Sequence, residues 1–206
     1  MRILKIDTDH KKIHEAIRAK FNFLYRYDNL PYNAGRGKTR NDLGTLFAEL
    51  GFNVGAEIGV RRGRFSRHLC KCNPKLRLYC IDPWMPYGKK YTEKRQDGIY
   101  REALKVLEPY NVTIIRETSI DALRHFGDET LDFIFIDGDH TFDYVAPDII
   151  YWSKKVKSGG IVSVHDYYSF GWSGVKQAVD AYTFCHDIRP WYVTKELEPT
   201  AFWVKP

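Results

Sequence analysis

Nowhere does this chain run 18 apolar residues together, so no membrane-spanning helix is expected. The opening Met1-Arg2-Ile3-Leu4-Lys5 lacks the apolar core of a signal peptide. Cysteine is scarce: positions 70, 72, 80 and 185 read as reduced thiols of a cytoplasmic protein, not as a disulfide framework. Cys70-Lys71-Cys72 has no second pair with which to complete a zinc site. No repeat, low-complexity tract or linker divides the 206 residues, which reads as one domain able to bury a sizeable core. Net charge is only +6, a mild basic balance that says little about partners. The dinucleotide fingerprint Gly-x-Gly-x-x-Gly is also missing, because Arg61 stands where its middle glycine belongs. No Asn/Asp-Pro-Pro-Tyr/Phe motif follows the strand at 131–137, and no basic stripe with interleaved aromatics is apparent. Both absences argue against a nucleic-acid partner.

What is present is alternation. Hydrophobic residues make up 44% and charged residues 28%, ordinary for a globule, whereas aromatics at 15% favour ring-lined pockets. Ile13, Ile17, Phe21 and Leu24 recur at helical spacing and predict an amphipathic helix over 9–27. A turn-rich basic loop at 28–40 precedes a helix over 41–50. Strands are then predicted at 54–58, 77–82, 111–116, 131–137 and 160–165. The intervening helices are placed at 64–72, 92–108, 119–126, 141–156 and 173–184. Two late strands, 190–195 and 200–204, are joined too tightly for a crossover helix and should be antiparallel. The expected fold is α/β, Rossmann-like and doubly wound: a mostly parallel seven-stranded sheet with a C-terminal antiparallel hairpin. Residues 1–50 add a helical extension that could close over a substrate.

Residues 53–63, Asn-Val-Gly-Ala-Glu-Ile-Gly-Val-Arg-Arg-Gly, describe a strand turning into a helix. Such a turn offers unpaired backbone N–H groups and a positive dipole end to a ligand. Glu57, Gly59 and Gly63 mark it, and Asp82 ends the next strand, where it could take ribose hydroxyls. An acidic residue ahead of the first glycine, with another after the second strand, resembles S-adenosylmethionine (SAM) binding in class I methyltransferases. Trp84 could stack on adenine or simply pack. Thr118-Ser119-Ile120-Asp121 scans as a capping box with Asp in the Glu/Gln slot, and in that family this corner also meets the adenine, which makes Ser119 a cofactor candidate.

The carboxyl ends of the next two strands carry Asp137-Gly138-Asp139-His140 and His165-Asp166-Tyr167. Carboxylates crowded on one rim repel unless a cation or proton sits among them, and this donor set suits Mg²⁺ or Mn²⁺ better than zinc. The plainer reading makes Asp137 and Asp139 turn formers and His140 a helix cap. Ile81-Asp82-Pro83-Trp84, Ile136-Asp137-Gly138-Asp139-His140, Gly159-Gly160 and His165-Asp166-Tyr167 together resemble the bacterial class I family of macrolide-sugar and cephalosporin-type O-methyltransferases, over roughly 53–170. The resemblance implies that Asp137 and Asp166 bind a divalent cation, with Asp137 also bordering the cofactor, and that His140 is the general base. His165 stands where that family has Asp or Glu; it could still ligate, with less charge. The expected function is SAM-dependent O-methylation of a small hydroxylated molecule with divalent-cation help, in a chain free to form homo-oligomers. A nucleic-acid methyltransferase and a non-catalytic nucleotide-binding Rossmann protein are the alternatives.

Overall fold

The computed structural model describes residues 8–23, 30–168 and 173–206. Its centre is a single sheet. Strands β2 (Val54–Ile58), β3 (Arg77–Ile81), β4 (Val112–Ile115), β5 (Leu131–Ile136) and β6 (Val156–Val164) run parallel, with β2 innermost between β3 and β5. Strands β7 (Trp191–Val193) and β8 (Ala201–Val204) close the chain, and β8 inserts antiparallel between β6 and β7. The order is β1-β7-β8-β6-β5-β2-β3-β4, where β1 is Tyr32–Asn33. Among the described residues the sheet therefore has eight strands, not the seven expected. Two residues carry no readable period, and β1 forms only because β7 offers a free parallel edge to a segment that reads as loop.

Helices cover both faces, which is why the middle strands are mostly apolar instead of alternating. On one face lie α1 (Thr8–Phe21), α2 (Arg40–Glu49), α3 (Arg64–Cys72) and α4 (Glu93–Leu107). They bury Ile17, Phe21, Leu46, Phe47 and Leu69 against Phe133, Phe135 and Phe202. On the other face α5 (Ser119–Ala122), α6 (Phe142–Lys155) and α7 (Val175–Cys185) bury Val145, Ile149, Trp152 and Val179 against Ile58, Ile134 and Val162. Gly55 is demanded by this packing: a Cβ there would enter the Phe133 ring. Among the described residues no helix is long and apolar enough to cross a membrane.

Most sequence boundaries hold within two residues, and the larger departures have local causes. α1 stops at Phe21, followed by Asn22 in a left-handed conformation (φ 46°), and residues 24–27 of the predicted helix lie outside the described residues. The 119–126 helix is one α turn followed by a 3₁₀ turn, Leu123–His125. β6 starts at Val156 instead of 160, because Val156 pairs with Leu131 before the register shifts and Ile161 meets Phe133. Lys157-Ser158-Gly159 falls between the predicted helix and strand, and Gly159 sits at φ 81° inside that irregularity. Three strands stop one residue early, so that Asp82, Asp137 and His165 each become the first residue beyond a strand. All three thus stand at the carboxyl edge, where open α/β sheets bind their ligands.

Candidate functional site

The strand-turn-helix at β2 has Gly59 and Gly63 in left-handed backbone, and neighbouring groups crowd both. Gly59 has φ 91°, and a Cβ there would strike the Asp137 carbonyl: its freedom admits the backbone following β5. Gly63, at φ 69°, begins α3 without a side-chain cap, and a Cβ on it would press on Leu107 of α4. The first N–H groups of α3 therefore face the turn without a capping side chain. Beside them Glu57 is fully buried and accepts a hydrogen bond from the Ser66 hydroxyl. Burial, reinforced by the Asp137 and Asp82 charges, pushes its carboxyl up to about 8 against the opposing help of Ser66 and Arg40. At neutral pH this acid is protonated until a cation arrives.

Asp82 ties two turns together. One of its oxygens accepts from the Arg61 N–H (2.8 Å) and the other from the Trp84 N–H (2.7 Å), and both donor residues are left-handed. Burial raises its pKa while these backbone bonds lower it. With Val60 as a third backbone donor, the carboxylate still keeps an acceptor position, so a ribose hydroxyl can be bound. Of the two readings of Trp84, packing is what the structure displays: the ring is buried, 4.8 Å from Tyr100, and its indole N–H donates to the Arg61 carbonyl (2.8 Å). An open cleft of about 440 Å³ lies between Pro83–Pro86 and the Arg116–Thr118 turn, within the usual range for a ligand pocket. At its border Thr118 caps α5, accepting from the Asp121 N–H. Ser119 is committed inward: it donates to Asp148 and accepts from the Trp152 indole (2.7 Å). Burial lifts Asp148 to about 6.

At the ends of β5 and β6 the predicted cluster does assemble. His140 Nε2 lies 2.9 Å from Asp166 Oδ2 and 3.8 Å from Asp137 Oδ1. His165 Nδ1 lies 3.2 Å from Asp166 Oδ2 and 3.6 Å from Asp137 Oδ1. Asp166 is itself left-handed (φ 61°), which turns its carboxylate back to the rim. Asp137 and then Asp166 raise the His140 pKa to about 10, so the imidazolium is the resting form at neutral pH. Burial raises both carboxyls, yet hydrogen bonds from the two histidines hold Asp137 low and Asp166 well below the ordinary carboxylate range. Asp139 turns away: its side chain accepts from the Thr141 N–H (2.8 Å) and hydroxyl (2.7 Å), the turn-forming role. His140 does not cap α6, whose N-cap is Thr141.

One residue escaped the sequence reading. Arg40, the first residue of α2, places Nη1 3.0 Å from His165 Nε2 and 3.4 Å from Asp137 Oδ2. Its guanidinium sits 5.3 Å from the Phe65 ring centre, and its own N–H donates to Glu196 (2.7 Å). A cation in a first helical turn opposes the helix dipole, and that anomaly was the available signal. Burial lowers the His165 pKa, and Asp137 and Asp166 raise it by more. The Arg40 contact nevertheless needs the Nε2 lone pair, so protonating His165 would break it.

For SAM the residues fit. A buried acid that lacks only a cation, an uncapped helix start, Asp82 beside an open cleft and a rim of acid–base groups match its ammonium, carboxylate, nucleoside and reacting ends. For a hard divalent cation the fit is poor. Asp137, His140 and Asp166 do bring ligand atoms within 4.8 Å of one another, yet both carboxylates already face cationic donors. Residues 56–167, more than half of the chain, match the family described as "Methyltransferase domain". No curated protein sequence matches the chain. Among solved structures, the O-methyltransferase TomG from Streptomyces achromogenes, involved in tomaymycin synthesis and in complex with SAM, is 17% identical with a TM-score of 0.58, over 99% of this chain and 92% of that one. An O-methyltransferase family protein from Burkholderia thailandensis is 11% identical (TM-score 0.59) over 81% of this chain, which spans only 55% of that protein. A protein described as a candidate rRNA methylase from Clostridium thermocellum is 13% identical (TM-score 0.59), over 84% of this chain and all of that one. At such identities these likenesses speak for the fold, and the family match carries the rest: the chain belongs to the methyltransferase-domain family and is a SAM-dependent class I methyltransferase.

Proposed function

We propose that the chain transfers a methyl group from SAM to a hydroxyl of a small molecule. The observation that carries this reading is the His140–Asp166–Asp137 cluster at the rim, an acid–base device that an oxygen nucleophile needs. SAM supplies an electrophilic methyl on a sulfonium. Glu57 then serves as the cation partner at the end of β2, and Asp82 as the acceptor for ribose hydroxyls. His140 takes the hydroxyl proton while Asp166 and Asp137 hold its ring and stabilise the imidazolium. Because those carboxylates lift its pKa to about 10, the ring is free to accept a proton in only a minor fraction at pH 7. Turnover should accordingly climb with pH well beyond neutrality. The divalent cation that the family resemblance implies would have to compete with the charges already at this rim, and the reaction is written without it.

Labelled SAM offered with phenols, sugars and RNA tests the acceptor class. His140→Ala is expected to lose about 10²–10⁴-fold in turnover with SAM affinity near wild type. Full activity in that variant would remove His140 from the chemistry. A second reading keeps RNA as acceptor. Exposed Tyr87 stacks on half-buried Tyr91 at 4.4 Å, with Arg95 4.8 Å and Lys90 5.9 Å from the Tyr91 ring and Arg61 donating to its hydroxyl. Stacked rings among cations are what single strands bind, so salt-sensitive retention of RNA by this corner would favour it.

A further inference from the structure

The acidic position that the family resemblance expects at 165 is an imidazole here, and Arg40 lies against that imidazole. Its Nη1 reaches His165 Nε2 at 3.0 Å and Asp137 Oδ2 at 3.4 Å, so one permanently charged nitrogen bridges two groups expected to hold a metal. The arginine is held in place. Its N–H is bound by Glu196 in the β7–β8 connection, and its guanidinium lies over Phe65 of α3. Thr39 caps the same helix turn with a full capping box closed by Asp42. Two other elements and the cap of its own helix thus position a residue whose charge runs against its own helix dipole, a cost that needs an offsetting interaction. An aspartate or glutamate at 165 would bring a further negative charge for a metal; a neutral histidine brings none, and its Nε2 lone pair is already taken by the guanidinium.

We propose that Arg40 is the resident cation of this site and fills the place of a divalent metal. It balances Asp137, fixes His165 with its proton on Nδ1, the nitrogen 3.2 Å from Asp166 Oδ2, and supplies the positive charge beside which an acceptor hydroxyl becomes an oxyanion. The side chain stays 34% exposed, so an acceptor at the rim can reach it. The enzyme is therefore metal-independent, and the helix that begins with Arg40 is part of the site and not a removable cover.

This rests on the reading of the rim as the methyl-transfer site, but its test needs no acceptor. Mn²⁺ is titrated by calorimetry and by electron paramagnetic resonance into wild type, Arg40→Met and Arg40→Lys, each first shown to bind SAM. Arg40→Met keeps the packing over Phe65 and removes the charge. It should bind Mn²⁺ at least about tenfold more tightly than wild type, because a dication no longer meets a fixed positive charge beside Asp137. Arg40→Lys should exclude Mn²⁺ as wild type does. Equal Mn²⁺ affinity in wild type and Arg40→Met, whether strong or weak, overturns the proposal. If Arg40→Met fails to bind SAM, Arg40→Gln replaces it in the same comparison. Failure of the acceptor screen alongside the expected Mn²⁺ result would sink the O-methylation reading and leave the role of Arg40 standing.

Discussion

At the scale of single residues, function here is written in charges that the fold alone would not tolerate. Glu57 is the plainest case: a carboxyl fully buried at a strand end, with its pKa near 8, is costly to keep ionised and is stabilised only by an incoming cation. The sign follows directly. Below about pH 8 the free protein holds the proton, and binding the SAM ammonium beside the carboxyl drives it off. At pH 7, calorimetry of SAM binding in buffers of differing ionisation enthalpy should register release of about one proton per site, falling away near pH 9. Glu57→Gln should abolish the release. A buffer-independent heat in wild type would place the ammonium elsewhere. Asp82 has two roles to separate. Asp82→Ala should reduce SAM affinity by about 1–3 kcal/mol, the cost of a lost charge-assisted hydrogen bond. Its thermal stability should fall too, because the Arg61 and Trp84 N–H groups lose their acceptor. Asp82→Asn can still accept from one of them, and if it lowers stability while leaving SAM affinity unchanged, Asp82 belongs to the scaffold only.

At the scale of elements, legibility followed length and burial. β2, β3 and β5 are mostly apolar runs between helices, so their positions, and the placing of Glu57, Asp82 and Asp137 at their carboxyl ends, can be read from sequence. β1 and the start of β6 could not be, because pairing with a neighbour, not local pattern, makes them strands. Arg40 was hidden for a related reason: nothing within ten residues of it announces that α2 will be laid against the ends of β5 and β6. The same limit applies to α1, whose anchoring is a long-range event. His14 Nδ1 meets the Tyr192 hydroxyl at 2.8 Å, and burial first, then Arg18 and His10, lowers the His14 pKa to about 4. The unfolded chain takes up that proton near pH 6.5 and the folded chain only near 4. Stability from this group is therefore complete above about 6.5 and is lost as pH falls from there toward 4. Chemical denaturation at pH 7.5 and pH 5 should show wild type losing more stability than His14→Gln, which keeps a polar partner for Tyr192 and cannot titrate. Equal losses would show that the attachment of α1 is not what acid weakens.

At the scale of the whole molecule, the question is whether residues 1–50 form a cover over a finished methyltransferase or part of its core. Family motifs span 56–167, and a sequence reading treats what precedes them as an addition. Packing argues otherwise. Ile17 and Phe21 are completely buried, Phe21 meets Phe202 of β8 at 5.1 Å, and Phe23 stacks on Tyr192 of β7 at 4.7 Å. α1 thereby seals the end of the sheet that the family motifs do not reach, and α2 seals the middle with Leu43, Leu46 and Phe47. A hinged cover would bury little of its own apolar surface, because it must open into water. Phe21→Ala should cost about 3–5 kcal/mol, the usual loss for a large aromatic removed from a core. Deleting residues 1–29 should leave a chain that neither unfolds cooperatively nor binds SAM. Thermal unfolding and SAM calorimetry on both variants decide the matter: a truncated chain with wild-type melting and wild-type SAM affinity would make the extension a lid after all. The expected collapse would mean that the first helix completes the same sheet whose far rim carries the candidate site.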